Sequence, residues 1–272
     1  MIRIRFHLYK ITFVLLLIFC SNPSNAQVII GANGVGMGQA TTALTENTWA
    51  TFANPALIRD DKISLGFYSL RNYGFSELTD IAAVGSYPTK YGVAAFGFHR
   101  YGDNVFNETR IRLAYANNWK DLRFGLALNY NSISFGGPYG SGGALGVDLG
   151  LATQLTEGLW LGAHSTNINR PSYNGIDEDL ARELSIGLSY RLEEIALFSF
   201  DMVKDVRFEK SFRGGVEMKI IENLKGRVGI SSQPNTYSLG LGYGQSKWEI
   251  NIAFQRHELL GISPGLDLNF FF

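Results

Sequence analysis

From Lys62 to the end of the chain, apolar residues recur at alternate positions in runs of eight to twelve residues, the period of a β-strand with one apolar face. In the run 121–131, Leu122, Phe124, Leu126, Leu128 and Tyr130 fall on one side, and Arg123, Gly125, Ala127, Asn129 and Asn131 on the other. Leu145, Val147, Leu149 and Leu151 repeat the pattern, as do Leu184, Ile186, Leu188 and Tyr190, and then Trp248, Ile250, Ile252 and Phe254. The pattern predicts fourteen strands: 62–71, 80–87, 91–100, 108–118, 121–133, 143–155, 159–167, 181–192, 194–202, 210–221, 223–232, 236–244, 246–256 and 264–272. The second and third are rich in Gly and Ala and alternate poorly.

An apolar face is common to soluble sandwiches and membrane barrels, but strand length favours the barrel. About nine to eleven tilted residues cross a hydrocarbon layer, whereas soluble strands cluster near five or six. The opposite face carries Gly, Ser, Asn and charges of both signs, as a wet or filled lumen does. Predicted connections alternate, with tight turns at 88–90, 119–120, 156–158, Glu193, Glu222 and Gln245 and mostly longer ones at 72–79, 101–107, 134–142, 168–180, 203–209, 233–235 and 257–263. Short periplasmic turns opposite longer outer loops fit an even-stranded barrel with both termini in the periplasm. The expectation is therefore an all-β, transmembrane antiparallel β-barrel of about fourteen strands; a periplasmic or secreted sandwich or propeller is the alternative.

The chain ends place it outside the cytoplasm. Arg3, Arg5 and Lys10 precede the apolar run 11–19, and Ser24-Asn25-Ala26 offers a small-residue cleavage site, so 1–26 reads as a signal peptide. A lipoprotein reading anchored on Cys20 is disfavoured by the bulky Phe19 before it. Cleavage before Gln27 leaves no cysteine, and hence no disulfide or thiolate metal site. The remaining chain is close to neutral, with no basic block for nucleic acid. The terminal Ser263-Pro-Gly-Leu-Asp-Leu-Asn-Phe-Phe-Phe272 is similar to the assembly signal of bacterial outer-membrane proteins. The expected location is the outer membrane of a Gram-negative bacterium, with membrane lipid as one partner.

Residues 27–61 are the least strand-like part. The glycines at 31, 34, 36 and 38 lack GxGxxG spacing and no βαβ unit follows, so a nucleotide loop is disfavoured. Residues 37–44 and 46–53 suit short helical turns, the second capped by Thr45, and Asn54-Pro55 ends them. The run from Gly31 through Gly36-Met37-Gly38, Ala43-Leu44 and Trp49 to Asn54-Pro55-Ala56 resembles the N-terminal signature of the FadL-like outer-membrane proteins. It is most similar to their PorV/PorQ branch, which reads G-A-x-x-x-G-M-G-x-A-x-x-A-L, an acidic pair, then an aromatic and N-P-A. Thr45-Glu46 replaces the usual acidic pair, and the chain is shorter than most relatives.

The resemblance implies a fourteen-stranded barrel (62–272) whose signature segment (27–61) folds inside as a hatch. It implies passive uptake of hydrophobic small molecules through a lateral opening or, as the PorV/PorQ alternative, a non-enzymatic accessory of type IX secretion that binds partner or cargo proteins; a purely structural barrel is a second alternative. A wall gap is expected at Gly85, Gly92 and Gly97 in the poorly alternating strands. Candidate lumen charges include Arg110, Arg112, Arg123, Asp148, Arg213 and Glu217, able to hold a substrate carboxylate or to pair with each other and the hatch. Loops 134–142 and 168–180 are candidate docking surfaces, and Asp177, Glu178 and Asp179 an acidic loop cluster. Tyr87, Tyr91, Trp119, Tyr130, Trp160, Tyr190, Tyr243 and Trp248 suit interfacial girdles. His99, His164 and His257 have no metal-site spacing, and no catalytic motif, metal or cofactor is expected.

Overall fold

In a computed structural model, which describes residues 30–136, 140–175 and 178–272, the alternating runs become fourteen strands. They are β1 (Ser64–Arg71), β2 (Thr79–Thr89), β3 (Gly92–Gly102), β4 (Phe106–Trp119), β5 (Leu122–Phe135), β6 (Ser141–Thr156) and β7 (Leu159–Ser165), followed by β8 (Glu183–Leu192), β9 (Ala196–Asp205), β10 (Ser211–Ile221), β11 (Leu224–Ser232), β12 (Asn235–Gln245), β13 (Trp248–His257) and β14 (Gly261–Phe271). Each pairs antiparallel with its neighbours in sequence, and β1 pairs with β14 from Ser64↔Phe271 to Leu70↔Gly265 to close the barrel. The predicted signal peptide lies outside the described residues.

Period-two alternation sorts the side chains across the wall. Leu126, Leu128, Phe198, Phe200, Leu239, Leu241, Leu266 and Leu268 are exposed on the outer face, while Ala127, Asn129, Ser199, Asp201, Asp267 and Asn269 are buried within. An apolar patch that encircles a molecule far exceeds what a soluble monomer exposes, whereas lipid solvates it. The closed ladder leaves no strand edge unpaired in hydrocarbon. Among the described residues no helix is long and apolar enough to cross a membrane; the strands do so.

Two expectations need correction. The connections at 103–105, 233–234 and 258–260 are as short as the predicted tight turns, because the strands run further than their apolar pattern. At the first, Asp103 Oδ1 accepts from Val105 N (2.8 Å) and Phe106 N (3.0 Å), an Asx turn that replaces a longer loop. Trp160 is no girdle residue: it turns inward, with the Arg123 guanidinium 5.8 Å from its ring, because the Gly162 and His164 side of β7 faces the lumen. Tyr243 and Trp248 do meet on the outer face, their rings 5.7 Å apart.

Candidate functional site

Residues 30–61 pack against the inner face of the strands. The glycine-rich stretch forms a short helix, α1 (Ala32–Gly36), rather than a loop before one. Two 3-10 turns follow, Thr48–Thr51 and Pro55–Leu57. The first is capped by Asn47, not Thr45: the Asn47 side chain accepts from Trp49 N at 3.0 Å. Asn54, held extended by the proline after it, caps the second by accepting from Ala56 N at 3.1 Å.

The signature residues supply close contacts. Gly38 has φ 63° and lies against the Ile230 backbone, where an added Cβ would come within 2.5 Å of Ile230 N. Gly31 lies on the Trp49 ring and Gly36 on Gly240. Met37 is buried with Leu44 and Leu197. Asn54 Nδ2 donates to Thr42 O (2.8 Å) within the segment and to Leu151 O (3.1 Å) on the wall. Pro55 and Ala56 fill the space left by Gly125 and Gly150.

Buried carboxylates tie this segment to the barrel. Asp201 Oδ2 accepts from Thr41 N (2.8 Å), Thr42 N (2.9 Å) and Thr42 Oγ1 (2.8 Å). Asp267 Oδ2 accepts from Asn33 N (3.2 Å), and its Oδ1 from Asn251 Nδ2 (2.7 Å). Arg227 joins this group, donating to Glu217 (2.7 Å), Asn251 (2.6 Å) and Glu249 (3.3 Å). Toward the rim on the side of the tight turns, Arg123 pairs with Asp60, and Arg191 with Glu46 at 3.2 Å.

Above the segment, on the side of the longer loops, a cavity of about 310 Å³ remains. Thr41, Thr42 and Phe52 form its floor; Arg110, Arg112, Asp148, His164, Glu183 and Arg213 stand in its wall; and Tyr173 and Leu180 come from the connection 166–182. Arg112 and Asp148, both 2% exposed, form an ion pair at 2.8 Å, and Arg110 Nε donates to Asn131 at 2.8 Å. Burial pushes the Tyr173 phenol up to about 12, so it stays a hydrogen-bond donor. Of the six candidate charges, Arg110, Arg112, Asp148 and Arg213 meet at this cavity, while Glu217 and Arg123 belong to the two tethers below it. Asp177 and residues 137–139 lie outside the described residues, so the acidic cluster is seen only at Glu178 and Asp179, which line the cavity. Among the described residues no group of three or more His, Asp or Glu side chains gathers as a metal site.

The wall is not open at the three glycines. Ladder pairs run unbroken from Asp80↔Tyr101 to Thr89↔Gly92 and from Ser64↔Ser86 to Arg71↔Thr79. Gly97 instead makes room for the Phe52 ring, 2.6 Å from where its Cβ would be, and Gly92 (φ 141°) ends a turn. The ladder is interrupted at β7, which stops at Ser165 while β6 continues. There the Asn169 amide takes the place of a strand, accepting from Val147 N (2.9 Å) and donating to Leu145 O (2.8 Å). Asn167, in left-handed backbone at φ 51°, turns the chain inward at this seam and lines the cavity.

No protein-family model matches the chain, and no curated protein matches it in sequence. Solved structures do match. The toluene transporter TodX of Pseudomonas putida superposes with a TM-score of 0.66 over 88% of this chain and 96% of its own, at 13% identity. The fold is that of the FadL-type channels. The monoaromatic hydrocarbon channel CymD gives a TM-score of 0.64 over 89% of this chain and 97% of its own, at 13% identity. A FadL homologue of Pseudomonas aeruginosa gives 0.56 over 89% and 97%, at 12% identity. At such identities the likeness is one of fold.

Some site residues escaped the sequence reading. His99 Nε2 and Asp80 Oδ1 are 2.6 Å apart, and Asn72 donates to the other Asp80 oxygen at 2.6 Å. Thr41 and Thr42 are the partners of Asp201 across 160 and 159 residues. Asp80 and His99 both sit at inward positions of adjacent predicted strands, a usable signal; nothing local marks the two threonines.

Proposed function

We propose that this chain is a non-enzymatic outer-membrane barrel for passive uptake of small hydrophobic molecules, with 1–26 a signal peptide and 27–61 a hatch in the lumen of the barrel 62–272. The observation that carries the reading is the cavity between the buried segment and the connection 166–182, beside the seam where β7 ends. The fold shared with hydrocarbon channels supports it. The lining sets a refinement. Phe52, Ile133 and Leu180 offer apolar contact, but Arg110, Glu183 and Arg213 stand beside them. An amphipathic molecule with a polar head satisfies both, whereas a pure hydrocarbon leaves the charges without return for their lost water. The export-accessory alternative draws no support from the neighbours named above.

The test is uptake of labelled small aromatic and amphipathic compounds by Gram-negative cells with and without the barrel, with membrane fractionation alongside. Faster, saturable uptake of at least one amphipathic compound is expected. Uptake equal to the control for the whole panel, with folded barrel in the outer membrane, would refute the proposal.

A further inference from the structure

The lipid-facing side of the barrel carries a feature that uptake does not use. On β10 the outward positions Gly214 and Val216 are small, while the strands beside them carry bulk at the same level. Gly214 lies opposite Phe200 and Ile230, and Val216 opposite Phe198 and Val228. The difference leaves a trough of about 960 Å³ in the outer wall, continued over Leu239 and Phe254 toward Tyr237 and Ile262. The outward side chains around it are mostly apolar, and at one end Arg256 stands beside both Tyr237 and Ile262 in the ladder.

That end is the outer one. Arg71, the last residue of β1, lies on the far side of β14, one step beyond the pair Leu70↔Gly265. Two ladder spacings separate the strands of the two arginines, roughly 10 Å. Both side chains are exposed, and neither makes a hydrogen bond or ion pair among the described residues. The two guanidinium groups therefore leave positive charge without a partner at this mouth of the trough.

Within the apolar belt the trough's neighbour is an acyl chain, and guanidinium groups at its outer mouth select a phosphate. We propose that the trough is a binding site for a phosphorylated, acylated glycolipid of the outer leaflet, one chain lying over Gly214 and Val216 and the phosphate meeting Arg256 and Arg71. The inference rests on the outer-membrane location proposed above but not on uptake.

It is tested by native mass spectrometry of the barrel extracted from its own outer membrane in mild detergent. Gly214→Leu fills the floor without a clash, since an added Cβ there has its nearest neighbour at 3.9 Å. Arg71→Gln with Arg256→Gln removes the charge at positions outside the lumen. Wild type should retain a phosphorylated glycolipid, and each variant should lose it by about tenfold or more, the ratio expected for losing a charge-assisted contact or the buried chain. Heat-modified gel migration checks that the variants are folded, and Arg256→Gln alone serves if the double variant is not. Retention of no lipid, of glycerophospholipid only, or of equal glycolipid in all variants would overturn the site. Uptake should be unchanged in the variants, so a failed uptake assay with retained glycolipid leaves this site standing, and the reverse result removes the site alone.

Discussion

Replacing Asp201 by alanine tests whether the lumen segment is held by a few buried bonds or by general packing. One carboxylate oxygen, in a residue 1% exposed, receives two main-chain N–H groups and one hydroxyl. Alanine strands the amides of Thr41 and Thr42, each at a cost of about 1–3 kcal/mol, or about 2–6 kcal/mol for the two. A water entering the vacated space places the result near the lower end. The population with this turn detached should rise by about thirtyfold to about twenty-thousandfold. Hydrogen exchange of the Thr41 and Thr42 amides in lipid nanodiscs reads that change directly, and single-barrel conductance reads its consequence. Asp201→Asn keeps an acceptor oxygen and should lose less. Exchange in the alanine variant within twofold of wild type would refute the reasoning.

Three further outcomes follow from the same contacts. Gly229→Leu sets a side chain where an added Cβ comes within 2.0 Å of Gly38 N, so the strands should form while residues 30–61 become protease-sensitive; unchanged protection would contradict the packing. Asn169→Ala removes both side-chain amide bonds across the β7 seam, which Ile168 N also bridges by donating to Val147 O, and should speed exchange at Val147 N at least tenfold, with faster uptake; identical exchange would show that the side chain does not protect this edge. The Arg59 guanidinium beside Asp61 holds that carboxyl below its ordinary value of 3.8. A depressed carboxylate contributes stability above its unfolded value and loses it as pH falls through the folded one, so the clamp should persist at pH 5 and fail only below about pH 4. A carboxyl NMR titration of Asp61 with a midpoint above 3.8 would count against it.

The strands were legible where the two faces differ in chemistry. Leu122 to Tyr130 is such a row, and β5 follows it residue for residue. Even β2 and β3, with their Gly and Ala, form where their apolar content suggested. What alternation does not encode is where a strand stops. Ser141 and Gly142 fall in the predicted loop 134–142, yet they extend β6, with the Tyr130 ring covering the adjacent Gly143. In the site, residue types at inward positions gave the candidate charges, but not their partners. A carboxylate on β9 meets a threonine pair near the N-terminus because the closed wall brings them together, and no spacing along the chain records that. The expected gap failed for a related reason: glycine on a wall facing a filled lumen marks a close neighbour, as at Gly97, and not a missing bond.

The seam between β1 and β14 sets an order of assembly. Every other ladder joins strands adjacent in sequence, but this one joins residues roughly two hundred apart and cannot form until the C-terminal strand is present. Residues 30–58 lie against β6, β9 and β14, where Leu151, Asp201 and Asp267 each hold part of them from within. Once the last seam is closed, the departure of residues 30–58 is a matter of unmaking those bonds inside a finished cylinder.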